Sequence, residues 1–287
     1  MGLKNHAILL IHCNDRKGLL SSITNFLYEN EGNIIDLDEH VDKQEKTFFM
    51  RVEWELDGFT ILKEEIATVF AVQIGSQYNM HWQLHFTDKK PRMAIFVSKA
   101  SHCLYDILSR HYSGEWQVEI PMIVSNHAMH KQVADRYDIP FYQFEINQTN
   151  KTKQEAAQRK LMTDHDIDFI ILARYMQILS DEFIKAYPNK IINIHHSFLP
   201  AFAGAKPYHR AFERGVKIIG ATSHYVTADL DAGPILEQDV TTISHKDSVD
   251  DLIRKGKDLE KIVLSRAIWN HLNRKALVHK NKTVIFD

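Results

Sequence analysis

The segment "NIHHSFLPAFAGAKPYH", residues 193–209, begins as an apolar strand and ends in polar groups able to carry protons. Asn193 and His195 are two residues apart, so on a strand their side chains leave on the same side. Asp231 lies downstream in "DLDAGP", a turn whose Gly233 and Pro234 shape the backbone ahead of another apolar run. An amide, an imidazole and a carboxylate together are suited to acyl-transfer chemistry. The first two stabilise charge on a carbonyl oxygen, and the third orients water or supports an imidazolium. Structural readings stand beside this one. Asn-x-His at a strand end is often a hydrogen-bonded pair, and an Asp before Gly-Pro often makes only a local backbone bond. His196, His209 and His224 raise a zinc site as a third reading, but no HxxxH or HExxH spacing and no nearby Cys supports it.

These residues need elements to position them. From residue 93 on, "MAIFV", "VEIPMIVS", "FIIL" and "IINIH" are short, nearly continuous apolar strands. Helical stretches alternate with them near residues 103–112, 130–137, 151–165 and 181–187. That rhythm predicts a parallel sheet covered on both faces. "GATSHYV" and "GPILEQDV" are two further strands, and a long helix over residues 248–273 follows. In open α/β sheets ligands bind beyond the carboxyl ends of the strands, which is where "IINIHH" and "FIILARYMQIL" end.

The first eighty-odd residues follow a different order: "HAILLIHC", an amphipathic helix with Leu19, Leu20, Ile23, Phe26 and Leu27, then "NIIDLDEHV" and "TFFMRVEWEL". In the last of these, Phe48, Met50, Val52, Trp54 and Leu56 alternate with polar residues, as in a half-buried strand. A helical stretch over 60–75 and the strand "MHWQLHF" complete a ferredoxin-like βαββαβ unit. The polar segment "TDKKPR", 87–92, is the expected linker. The expected domains are thus 1–86 and 93–287.

The chain has 287 residues, 44% hydrophobic and 25% charged, with a formal net charge of −2. That balance offers no electrostatic case for nucleic acid or a membrane surface. No apolar run approaches the roughly 20 residues that span a bilayer, and the N-terminus is not read as a signal peptide. Cys13 and Cys103 lie in apolar surroundings and read as reduced thiols of a cytoplasmic protein.

The stretch from Asn193 to Asp239 resembles the folate-dependent formyltransferase family, in which Asn-x-His and a downstream Asp form the catalytic set. The double histidine before "SFLPAF", with "GAKPYH", "VSKASHCLYDIL", "SNH" and "ARYMQILS", is similar to its formyltetrahydrofolate deformylase branch. Glycinamide ribonucleotide formyltransferases typically show "HPSLLP" there, so His196 stands in place of proline, a change that favours hydrolysis over transfer. They also carry Met-Arg where this chain has Met176-Gln177. The first domain resembles an ACT domain through "DRKGLL", with Lys17 where Pro is usual.

The resemblance implies an α/β protein: a ferredoxin-like ACT domain, then a Rossmann-like, mostly parallel formyltransferase domain. It implies hydrolysis of 10-formyltetrahydrofolate to formate and tetrahydrofolate, supplying formate for purine synthesis and balancing one-carbon folate pools. Asn193, His195 and Asp231 would be catalytic. Met176, Gln177, Ile178, Leu179, His196, Ser197, Gly204, His224, Val226 and Gly233 would bind the folate. No metal and no cofactor beyond the substrate are expected. Asn14 and Asp15, at the first strand–helix turn, would meet a small amino-acid effector, unless Asp15 merely caps the helix. ACT units commonly pair, so a homo-oligomer is expected. Two alternatives remain: a formyltransferase acting on an amine acceptor, and an amino-acid-sensing regulator with a degenerate transferase domain.

Overall fold

The computed structural model describes residues 5–201 and 207–287 and divides the chain into two compact units. The first comprises residues 1–90 with 274–277 and 284–287, and the second comprises 91–273 with 278–283. The two units meet in the chain at residues 90 and 91. The C-terminus does not all belong to the second unit, as the expected 93–287 span had it.

In the first unit the strands are β1 (His6–Asn14), β2 (Ile34–Asp42), β3 (Thr47–Glu55) and β4 (His81–Phe86), with helices α1 (Leu19–Glu29) and α2 (Ile66–Phe70). The sheet order is β2-β3-β1-β4, and every pair is antiparallel. Alternation sends Leu9, Ile11, Met50, Val52 and Trp54 to one face, where α1 adds Ile23, Phe26 and Leu27 and α2 adds Phe70. The helix expected over 60–75 is shorter: α2 starts at Ile66 and continues as a π-helical turn, Ala71–Gly75. α1 is capped at Gly18, with φ of 92° and no side-chain cap bond. Asp15 is therefore not its cap.

β3 is not half-buried. Phe49, on its other face, clusters with Leu10, Leu277 and Phe286, and Arg51 is only 2% exposed. Arg51 ion-pairs with Asp36 at 2.5 Å and Glu53 at 2.6 Å and donates to the Arg274 carbonyl at 3.3 Å. The alternation in "TFFMRVEWEL" marked Arg51 for solvent because its cover comes from some 220 residues away in the chain.

The second unit holds β5 (Arg92–Val97), α3 (His102–Tyr112), β6 (Glu119–Ser125), α4 (Lys131–Arg136), β7 (Phe141–Gln143), α5 (Lys151–Asp164), β8 (Phe169–Ala173), α6 (Asp181–Ala186) and β9 (Ile191–His195). It continues with α7 (Pro207–Arg214), β10 (Ile218–Tyr225), β11 (Ile235–Thr242) and α8 (Val249–Leu272). β7, α7 and a C-terminal hairpin, Ala276–His279 with Lys282–Ile285, were not foreseen from the sequence.

The sheet order is β11-β10-β9-β8-β5-β6-β7. β7 to β9 are parallel through β6, β5 and β8, while β10 runs antiparallel to both of its neighbours, β9 and β11. All five residues of β8 are buried, as expected of a strand covered on both faces. Chain order reverses between β5 and β8, which opens a crevice beyond their carboxyl ends. Among the described residues no helix is long and apolar enough to cross a membrane.

Candidate active site

β9 ends at the crevice and presents Asn193 and His195 from one face. β10 runs antiparallel beside it in the register Thr222↔His195 and His224↔Asn193, which brings His224 next to Asn193. The Asn193 amide and His224 Nε2 lie 3.2 Å apart, and His224 Nδ1 donates to the Tyr225 carbonyl at 2.9 Å. With Nδ1 holding the proton, the neutral ring accepts at Nε2, so the Asn193 amide donates to it.

Asp231 reaches the same point from the turn after β10. Its φ of 55° is left-handed. Gly233 allows this turn, because a Cβ there would lie 1.8 Å from the Tyr225 carbonyl oxygen. Asp231 Oδ2 sits 3.2 Å from His195 Nδ1, and Oδ1 sits 3.7 Å from His224 Nε2. The hydrogen bond with His195 holds the Asp231 carboxyl far below the usual carboxylate range, against the opposing effect of burial. His195 Nε2, the ring nitrogen not facing Asp231, is buried with no hydrogen-bond partner among the described residues.

Side chains from distant elements shape the surroundings. Ser98, just past β5, donates to Asn126 at 2.7 Å and accepts from the Met176 amide at 2.9 Å, pinning the loop after β8. Thr222 fixes the loop after β9: its hydroxyl donates to the Ser197 carbonyl and accepts from the Leu199 amide.

Glu260 on α8, only 1% exposed, ties together three further elements. It accepts from Tyr208 of α7 at 2.7 Å, meets His102 of α3 at 2.7 Å, and ion-pairs with Arg174 Nε, just past β8, at 3.4 Å. Burial raises its carboxyl, but the His102 hydrogen bond and the Arg174 charge outweigh this and leave it lowered. Gly256, one turn earlier, makes room: a Cβ there would lie 2.1 Å from the Tyr208 hydroxyl. Burial and Glu260 push that hydroxyl well up.

A cavity of about 600 Å³ lies over this constellation. Asn193, His195, His196, His224 and Asp231 line one part of it, and Met176, Gln177, Ile178, Leu179 and Val226 another. Its volume is in the range of small-molecule sites. Ser197 lies instead on a neighbouring apolar cavity of about 200 Å³ that His196 also borders. Gly233 is buried beneath the Asp231 turn rather than on the wall. Gly204 lies outside the described residues.

Arg174, His102, Tyr208 and Glu260 also line the large cavity and were missed in the sequence. Arg174 had a signal, since it stands inside "ARYMQIL" at the carboxyl end of an apolar strand. Among the described residues, the histidines of the zinc reading are not gathered as ligands. The one cluster of ligand-type atoms is His102, Cys103 and Glu260, within 4.8 Å of one another. There the Cys103 thiol is pushed well up by burial and by Glu260, and the Glu260 carboxylate already has its partners.

The family model described as Formyl transferase matches residues 91–268, and the ACT domain model matches residues 7–67. The formyltetrahydrofolate deformylase of Synechocystis sp. is 52% identical over 280 residues, 98% of this chain and 98% of that protein. The crystal structure of a formyltetrahydrofolate deformylase from Pseudomonas syringae pv. tomato matches with a TM-score of 0.96 at 42% identity, covering 99% of this chain and 95% of that one. Glycinamide ribonucleotide transformylase 1 from Symbiobacterium toebii matches with a TM-score of 0.67 at 28% identity, covering 98% of its own chain but 71% of this one. Of these three, the two deformylases match from end to end, the ACT domain included. The chain belongs to the formyl transferase family, in its formyltetrahydrofolate deformylase branch.

Proposed function

We propose that the protein hydrolyses 10-formyltetrahydrofolate to tetrahydrofolate and formate, with Asn193, His195 and Asp231 as its catalytic groups. The observation that carries this reading is the His195–Asp231 pair, whose free Nε2 borders a cavity of about 600 Å³ at the carboxyl end of β9. The N10-formyl group is an amide. Its hydrolysis needs donors for the oxygen of the tetrahedral adduct, a placed water, and an acid for the departing nitrogen.

Asn193 has one amide hydrogen committed to His224 and a second to offer the formyl oxygen. His195 Nε2 reaches the same oxygen and then gives its proton to N10, while Asp231 balances the imidazolium charge at Nδ1. His224 fixes the orientation of the Asn193 amide. Met176 to Leu179 and Val226 wall the pterin slot. No metal or cofactor beyond the folate is assigned a role.

The first unit is proposed as a regulatory and assembly domain that takes a small amino acid beside Asn14 and Asp15 and pairs with a second copy, in a cytoplasmic protein. The formate would serve purine synthesis. The test is to incubate the purified protein with 10-formyltetrahydrofolate alone and follow formate. Release with no amine present supports hydrolysis, whereas release only on adding an amine acceptor would assign a transferase.

A further inference from the structure

We propose that His196 holds the attacking water and takes its proton. This rests on the hydrolytic reading above and names the base which that reading requires.

Asp231 is poorly suited to that task. Its Oδ2 faces His195, and that contact holds the carboxyl in its ionised, weakly basic form. His195 is committed as well, with Nδ1 on Asp231 and Nε2 left for the formyl oxygen and N10. The next residue, His196, lines the same cavity, and its ring lies 5.3 Å from that of His195, centroid to centroid. It makes ring contacts with His195 and Tyr208, and its place on the cavity wall brings it to the water and folate that reach His195.

The charges around the two histidines differ. Asp231 lies 3.2 Å from His195, whereas the charge that acts most strongly on His196 is the Arg174 guanidinium, an arrangement that separates an acid from a base at one site. The groups facing His196 are Arg174 beyond β8, Glu260 on α8, His195 on β9, Asp231 beyond β10 and Tyr208 on α7. Burial, then the Arg174 charge, pushes the His196 imidazole down to about 4. It is therefore neutral at working pH. A base of that strength suffices because water becomes strongly acidic as its oxygen bonds to carbon. Arg174 is placed for this role. Its backbone takes a left-handed φ of 61°, and its side chain is ion-paired with the buried Glu260.

The step balances. The water oxygen bonds to the formyl carbon while one water proton passes to His196. The C–N10 bond then breaks, its electron pair stays on N10, and N10 takes the proton of the His195 imidazolium. Formic acid returns a proton to His195 as it leaves as formate, and His196 gives its proton to solvent.

The test compares wild type with His196→Ala and His196→Gln, each given 10-formyltetrahydrofolate alone and then with hydroxylamine, a nucleophile that needs no base. Hydrolysis should fall about a hundred- to ten-thousand-fold with KM nearly unchanged, while formohydroxamate formation stays within roughly tenfold of wild type. Hydrolysis within about fivefold of wild type, or equal losses with both nucleophiles, overturns the assignment. If both variants lose folate binding, Arg174→Gln decides. Removing that charge raises His196, so the acidic limb of kcat must move to higher pH, and an unmoved limb overturns the proposal. Absence of formate release by wild type would refute the hydrolytic reading itself, a different outcome.

Discussion

Replacing Asp231 by Asn removes a charge and almost nothing else. The side chains have the same shape, and Asn is at home at the left-handed φ of 55° found here. The amide oxygen can still accept from His195 Nδ1, so that hydrogen bond survives. What is lost is the attraction between a carboxylate and the His195 imidazolium that serves as the acid. At the observed 3.2 Å and an effective dielectric of about 20, that attraction is about 5 kcal/mol. The carboxylate is 18% exposed and the variant keeps that hydrogen bond, which leaves roughly 3–5 kcal/mol, or a rate loss of about a hundred- to several-thousand-fold. Single-turnover formate release measures this loss, with folate binding and thermal melting as controls. Binding should stay within a few-fold and the melting temperature within a few degrees. A rate within about fivefold of wild type would show that Asp231 serves only its turn, since Asn suits that turn equally well.

Gly233→Ala should both unfold and inactivate the site: its Cβ would lie 1.8 Å from a backbone oxygen, so a loss of about 3 kcal/mol or more is expected in thermal melts. Gly215→Ala is the control, because its Cβ meets open space at φ of 67° and costs only about 1–2 kcal/mol. Glu260→Ala should lower stability in urea titrations at pH 7 by about 3–5 kcal/mol, since it strands Arg174 and His102 without their buried partner. Because the Glu260 carboxyl is lowered on folding, its contribution is present above the usual carboxylate range and fades as pH falls through the folded value. The gap between wild type and Glu260→Ala should therefore narrow in acid, and a gap that stays constant would count against the paired carboxylate. Exhaustive chelation should leave turnover intact, and a loss restored by added zinc would overturn the metal-free reading.

Local pattern and long-range contact account for what was legible in the sequence. β9 was readable with its polar end because an apolar run and a period of two are local facts, and so was the shared face of Asn193 and His195. Asp231 was legible only as a turn residue. Its contact with His195 depends on β10 running antiparallel to β9, which no local spacing encodes. Arg51 was misplaced for the same reason, since alternation reports which residues share a face but not what covers the second face. Glu260 shows how such a residue can be recognised before its partner is known. On α8 the buried stripe runs through Leu252, Leu259, Val263, Leu264 and Ala267, and Gly256 and Glu260 lie within it. A glycine in a helix interior costs about 1 kcal/mol, and an unpaired carboxylate on a buried face costs more. One such violation could be a packing accident. Two of them one turn apart point to a side chain from another element that crosses over the glycine to reach the carboxylate, which is the path Tyr208 takes.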